Sequence, residues 1–197
     1  MDSREAVYAG HWYPGEEAAL RQSLTDFMAP HEVLPKKVHA LVAPHAGYVH
    51  SGSVAGFAYG AIAPPKVAVV LCPNHRDRRL NRPSFAVAPH PTWKTPLGEI
   101  GLDLELSAKI VEDCVYADFD GIAHSEEHSI ELQIPFLQLL NPEVKLVAIS
   151  IGSLNLKKLD CLAVTLVKHL GDEALIIASS DMTHYESRTS VLAKDKR

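Results

Sequence analysis

Residues 66–75 read Lys-Val-Ala-Val-Val-Leu-Cys-Pro-Asn-His. The run 66–72 is apolar after Lys66 and without alternation, which predicts a strand covered on both faces, as in the middle of a parallel sheet. Pro73-Asn74 follow the run. His75 follows directly at the carboxyl end. The same pattern recurs on either side. Residues 38–43 (VHALVA) are followed by Pro44-His45-Ala46-Gly47-Tyr48, and residues 174–179 (ALIIAS) by Ser180-Asp181-Met182-Thr183-His184. A further apolar run, 144–151, also reads as a strand.

Helical spacing fills the intervals. It predicts helices over 16–28, closed by Pro30, and over 51–63, closed by Pro64-Pro65. It predicts others over 103–113, opened by Asp103 as cap, over 127–140 with Pro135 as a kink or restart, and over 156–170. Residues 84–88 and 98–102 read as short strands, an antiparallel edge. Strands alternating with crossover helices give a single α/β domain, 1–197, with a mostly parallel central sheet flanked by helices.

Composition excludes several classes. The chain has 197 residues, 47% hydrophobic and 22% charged, so neither a disordered nor a collagen-like chain fits. A formal net charge of −5 gives no general attraction for nucleic acid or an anionic membrane. Cys72, Cys114 and Cys161 are scattered, with no C-x-x-C pair, and read as buried reduced thiols. The polar start, MDSREAVYAGHW, is not that of a signal peptide, and no stretch nears the ~20 apolar residues of a membrane span. A cytoplasmic location is expected.

The chain holds 11 histidines, and where they fall matters more than their number. In open α/β sheets the carboxyl ends of the strands line one edge, where ligands bind. His45, His75, Asp181 and His184 all follow strand ends, so they are expected in one cleft. Two imidazoles and a carboxylate form the inner sphere of a non-haem iron site. Tyr48 and Tyr185 neighbour these histidines and either bond a substrate or pack.

His124-Ser-Glu-Glu-His128 fits H-x-x-E-H, an inverted zinc-hydrolase pattern that needs both histidines on one helix face. Gly121 and Ile122 argue that His124 precedes the helix. The segment then reads either as a polar helix N-terminus, with Glu126 and Glu127 favoured by the dipole, or as placing Glu127 or His128 in the same cleft as supporting or substrate-binding groups. The basic stretch Arg76, Arg78, Arg79 and Arg82 is either a solvated loop or an attractor for an anionic ligand at the cleft mouth. His11, His31, His39, His50, His90 and His169 have no spacing that recommends them. Neither GxxxxGK[ST] nor GxGxxG occurs.

Five motifs occur in order: Ala9-Gly10-His11-Trp12-Tyr13-Pro14, Pro44-His45-Ala46-Gly47-Tyr48, Pro73-Asn74-His75, Glu127-His128-Ser129-Ile130-Glu131, and Ser179-Ser180-Asp181-Met182-Thr183-His184. Together they resemble the Memo family, known in prokaryotes as AmmeMemoRadiSam system protein B, over essentially the whole chain. The resemblance implies the fold of class III extradiol ring-cleaving dioxygenases and a mononuclear metal cleft, holding iron or copper. It carries metal binding to His45 and His75, and catalytic roles to His184 and Asp181, with His184 as the acid/base. Family members take a third ligand from a cysteine near the C-terminus. No cysteine here lies in that context, so the family's C-terminal portion is expected to be lacking, and Asp181, His184 or water to complete the site. The resemblance implies a metal-dependent oxidoreductase. The alternative is a non-enzymatic peptide- or partner-binding protein of a radical SAM-associated system. The partners implied are radical SAM and AMMECR1-type proteins, with a small aromatic or peptide ligand.

Overall fold

A computed structural model describes residues 2–29, 34 and 37–196. Pro30 and His31 lie outside the described residues. The secondary elements, in chain order, are α1 (Glu17–Met28), β1 (Ala40–Ala43), α2 (Tyr48–Gly60), β2 (Val67–Pro73), β3 (Phe85–Val87), β4 (Thr92–Thr95), β5 (Gly98–Gly101), α3 (Leu104–Asp113), β6 (Ala117–Phe119), α4 (Ile122–Ser125), α5 (Ile134–Leu140), β7 (Lys145–Ile151), α6 (Leu156–His169), β8 (Ala174–Ser179) and α7 (Arg188–Lys194).

Six strands form one sheet in the order β1-β8-β2-β7-β3-β6. The first four are mutually parallel, and β3 turns antiparallel against β7 while carrying β6 parallel to itself. The strand expected over 98–102 does not join that sheet. It is β5, paired antiparallel with β4 in a separate two-stranded ribbon. The domain is thus an α/β layer structure with a mostly parallel sheet, consistent with the extradiol dioxygenase-like fold.

The unbroken apolar run of β2 serves both faces. Ala68, Val70 and Cys72 point into a core shared with α1, α2 and α5, whereas Val69 joins Ile110, Leu162 and Leu166 in a second core under α3 and α6. Successive side chains of a strand alternate sides, so a central strand needs apolar residues at every position. α1 and α2 approach closely because Gly56 has no side chain. A Cβ there would lie 2.4 Å from Phe27 Cβ. Asp103 caps α3 as expected, its carboxylate accepting from the Leu106 N–H at 2.9 Å.

The helix expected over 127–140 is corrected. Residues 127 and 128 are irregular, 129–133 form turns, and the helix starts only at Ile134, with Pro135 in its first turn. There proline loses nothing, since a first-turn N–H has no partner within the helix, whereas farther inside it would remove a bond. Glu127 also folds back on its own backbone, its Oε1 accepting from the N–H groups of His128 and Ser129. His124 sits on the separate one-turn α4. The shared helix face required by the zinc-hydrolase pattern does not exist. Among the described residues, no helix is long and apolar enough to cross a membrane.

Candidate metal centre

β1, β8 and β2 are neighbours in the sheet, and Ala43 pairs with Ser179 at the top of the β1–β8 ladder. Their carboxyl ends therefore deliver His45, the 180–184 segment and His75 to one edge. The turn before α5 brings in His128 from the side. Ligand atoms of His45, His75 and His128 all lie within 4.8 Å of one another. These three histidines could hold a metal ion. The sequence alone placed His128 nearby only as a supporting or substrate-binding group, because its position depends on the turn that replaces the expected helix.

Hydrogen counting fixes how two of the rings present themselves. Ser179 has one hydroxyl proton and donates it to the Ser129 carbonyl at 2.8 Å. Its oxygen then accepts from Gln133 Nε2 at 2.9 Å and, also at 2.9 Å, from His45 Nδ1, which must carry its hydrogen. Ser129 likewise donates to Glu127 Oε1 at 2.7 Å, so His75 Nδ1 donates to that carboxylate at 3.0 Å. Both rings keep a bare Nε2 lone pair for an ion, and the partner on Nδ1 fixes tautomer and orientation. His128 Nδ1 is buried without a hydrogen bond, 3.4 Å from Glu127 Oε1. Three imidazoles whose ligand atoms lie within 4.8 Å of one another, two of them with free Nε2 lone pairs, are a donor set that fits a metal ion.

The electrostatics agree with that fit. Burial by itself would raise the Glu127 pKa, but hydrogen bonds from His75 and Ser129 outweigh it and hold the pKa down to about 2. Burial pushes His128 down to about 4, against the pull of Glu127, and lowers His45 too. Near neutral pH these groups are a carboxylate and two neutral imidazoles, the protonation states that coordination needs.

The histidines open into a cleft of about 1000 Å³. Asp181 and His184 both line it. Asp181 Oδ1 accepts from the backbone N–H groups of His45 (2.7 Å) and Ala46 (3.2 Å), while Oδ2 stays 3.9 Å from His45 Nε2. His184 is exposed, its Nδ1 donating to the Met182 carbonyl at 2.8 Å. Tyr185 stands beside it, fully exposed, with φ at 59°.

Tyr48 is elsewhere. Its hydroxyl donates to the Leu132 carbonyl at 2.8 Å inside the core, so it packs rather than meeting a substrate. The basic stretch divides in a similar way. Arg79 is held by Asp77 and Asp120 and Arg82 by the Asp77 carbonyl, while Arg76 lines the cleft. His124 is sealed away, its Nε2 donating to the Ala86 carbonyl and its ring edge-on to Trp93.

Several contributors escaped sequence reasoning. His11 and His50 line the cleft, although no local spacing recommended them. Trp12 packs on His128 with ring centroids 4.5 Å apart, and Tyr8 meets the same ring at 5.7 Å. The clustering of His11 and Trp12 in one motif was the available signal. Arg4 offered none. It donates to the carbonyls of His124 and Glu127 and to Glu131 Oε2, so it anchors the turn that carries His128.

Comparison with known proteins agrees with the motifs. Residues 4–196 match the family model described as Memo-like protein. A MEMO1 family protein of Methanosarcina acetivorans is 37% identical over 95% of this chain and 69% of its own length. MEMO1 family protein PF1638 of Pyrococcus furiosus is 40% identical over 92% of this chain and 65% of its own length. A MEMO1 family protein of Desulfurococcus amylolyticus is 36% identical over 99% and 74%. The chain thus spans about two thirds to three quarters of the length of these relatives.

Proposed function

The chain belongs to the Memo-like family, and on that premise we propose that it is a metal-dependent oxidoreductase with His45, His75 and His128 holding one iron or copper ion. The observation that carries this reading is the convergence of three imidazoles on one cleft, with ligand atoms within 4.8 Å. In this reading His128, which the sequence offered only as a supporting or substrate-binding group, is the third imidazole. Iron or copper, when bound, supplies one-electron and oxygen chemistry.

The chain's own residues do the rest. Glu127 and Ser179 hold the His75 and His45 rings by Nδ1, which leaves their Nε2 atoms free to hold an ion. Asp181 acts through the backbone of His45 and Ala46, positioning the ligand rather than reacting. His184 has Nδ1 committed to Met182, so its Nε2 is the atom that takes and returns a proton at the exposed side of the cleft. Trp12 lines the cleft and packs on His128, an aromatic face suited to a small aromatic ligand. Arg76 adds positive charge at the same cleft.

A second reading is favoured by the cleft's apolar rim, where Val49, Val54 and Met182 are 88%, 60% and 63% exposed. Such a rim suits a peptide or a partner protein, among them the radical SAM and AMMECR1-type proteins of the associated system.

Metal content by plasma mass spectrometry on anaerobically purified protein separates the readings. We expect near-stoichiometric iron or copper in the wild type, lost in His45→Ala. Absence of metal from both would remove the oxidoreductase reading and leave the binding module. A partner surface would also tolerate His45→Ala.

A further inference from the structure

Cys114 and Cys161 are 47 positions apart in sequence, yet their sulfur atoms lie 3.2 Å apart, one thiol donating to the other. Cys114 caps the end of α3 and Cys161 lies within α6, so the contact joins the two helices that cover the second core. Neither residue lines the histidine cleft. The third thiol, Cys72, is in the first core on the opposite face of the sheet. A disulfide needs its sulfurs about 2.05 Å apart, so closure here asks for an approach of ~1.2 Å. The two sites also differ in access. Cys114 is fully buried and Cys161 is partly exposed.

We infer that Cys114 and Cys161 form a peroxide-oxidisable pair that closes a disulfide between α3 and α6. The exposed member reacts first. The Cys161 thiolate attacks one oxygen of hydrogen peroxide, the O–O bond breaks, and the departing hydroxide leaves as water after taking a proton. Cys161 is then a sulfenic acid. Cys114 sulfur attacks Cys161 Sγ, the S–O bond breaks, and the hydroxyl departs with the Cys114 proton as a second water. In total two thiols lose two electrons and two protons, and one peroxide becomes two waters. A dithiol reductant reverses the change. The division of labour follows from burial, which shuts Cys114 off from solvent and pushes its thiol pKa up. It is therefore the resolving partner.

The test uses the full chain, reduced, exposed to a small excess of hydrogen peroxide, quenched with N-ethylmaleimide and mapped by mass spectrometry. We expect a peptide pair joining Cys114 to Cys161, lighter by two hydrogen atoms, reversed by dithiothreitol, with Cys72 alkylated only after denaturation. Closing a loop of this length raises Tm by about 8–16 °C. In Cys114→Ser, dimedone traps a sulfenic acid at Cys161. In Cys161→Ser, the same peroxide dose gives neither link nor adduct. The inference is overturned if both cysteines remain alkylatable after oxidation, if the link joins separate molecules, or if Cys72 takes part. The wild-type map decides this even where a variant fails to fold.

Discussion

Glu127 and Glu131 are four residues apart on one segment, and both are almost wholly buried. Yet they anchor opposite kinds of polar cluster. Glu131 is closed. Its oxygens accept from Arg4 Nη1 at 2.7 Å, the N–H groups of Val7 and Tyr8 at 3.1 and 2.7 Å, and the Tyr13 hydroxyl at 2.9 Å. Arg4 spends its other donors on backbone carbonyls and lies over the Trp93 ring at 4.3 Å. The Glu127 cluster is open on one side through His75, which lines the cleft, whereas Glu127 itself is enclosed and, contrary to the sequence expectation, does not line it. Glu127 holds His75 by Nδ1 and thereby leaves Nε2 unspent toward the cleft. A buried charge with every lone pair answered can only hold structure. One that leaves its partner's second nitrogen bare sets up chemistry.

The closed cluster should produce the largest effect when broken. Arg4→Ala leaves the Glu131 carboxylate buried without its counter-charge, which costs about 3–5 kcal/mol of stability. Urea unfolding measures this. A loss below about 1 kcal/mol would mean that the closed cluster is not the anchor of the His128 turn.

Acid should be next. His124 lies beside the closed cluster, and burial lowers its pKa to about 4 in the folded state, against ~6.5 unfolded. Its Nδ1 is buried without a partner, so a proton arriving there brings an unanswered charge. The unfolded chain binds that proton first. The stabilisation is complete above pH ~6.5 and disappears as pH falls toward about 4, a change of about 3 kcal/mol. His124→Gln keeps a donor for the Ala86 carbonyl but cannot titrate. Chemical denaturation across that window should show a flatter acid slope in the variant. Equal slopes would place the acid sensitivity in the cleft histidines instead.

The open cluster should respond in affinity rather than stability. Glu127→Gln keeps the shape but removes the carboxylate that orients His75, and outer-shell partners of this kind are worth about 10–100-fold in metal affinity. Competition titration with a chelator reads this directly, with urea unfolding as the control. A variant that lost stability as Arg4→Ala does, while binding metal normally, would erase the distinction between the two glutamates.

Much of this architecture is legible in the residues. VHALVA, KVAVVLC and ALIIAS announce strands because apolar side chains at every position have no other low-energy place than a doubly covered sheet. Their followers, His45, His75, Asp181 and His184, reach one edge because parallel strands all end on the same side. Thr92–Thr95 was missed because a four-residue strand that follows Pro91 and carries Lys94 has no period to read, and only its pairing with Gly98–Gly101 makes it a strand. The segment 127–133 misled for the opposite reason. Ile130, Ile134 and Leu137 repeat at helical intervals, but Glu127 turned back on its own backbone and Pro135 could serve only in a first turn.

The sequence by itself determined the family, the mostly parallel α/β sheet and the edge on which the histidines gather, since these follow from local periodicity and ordered motifs. Tertiary structure decided which groups meet. It brought His128 beside His45 and His75, buried Tyr48, gave Arg4 to Glu131, and set Cys114 against Cys161. Those pairings join residues far apart in the chain, and no local pattern encodes a contact whose distance is fixed only when the packed layers close.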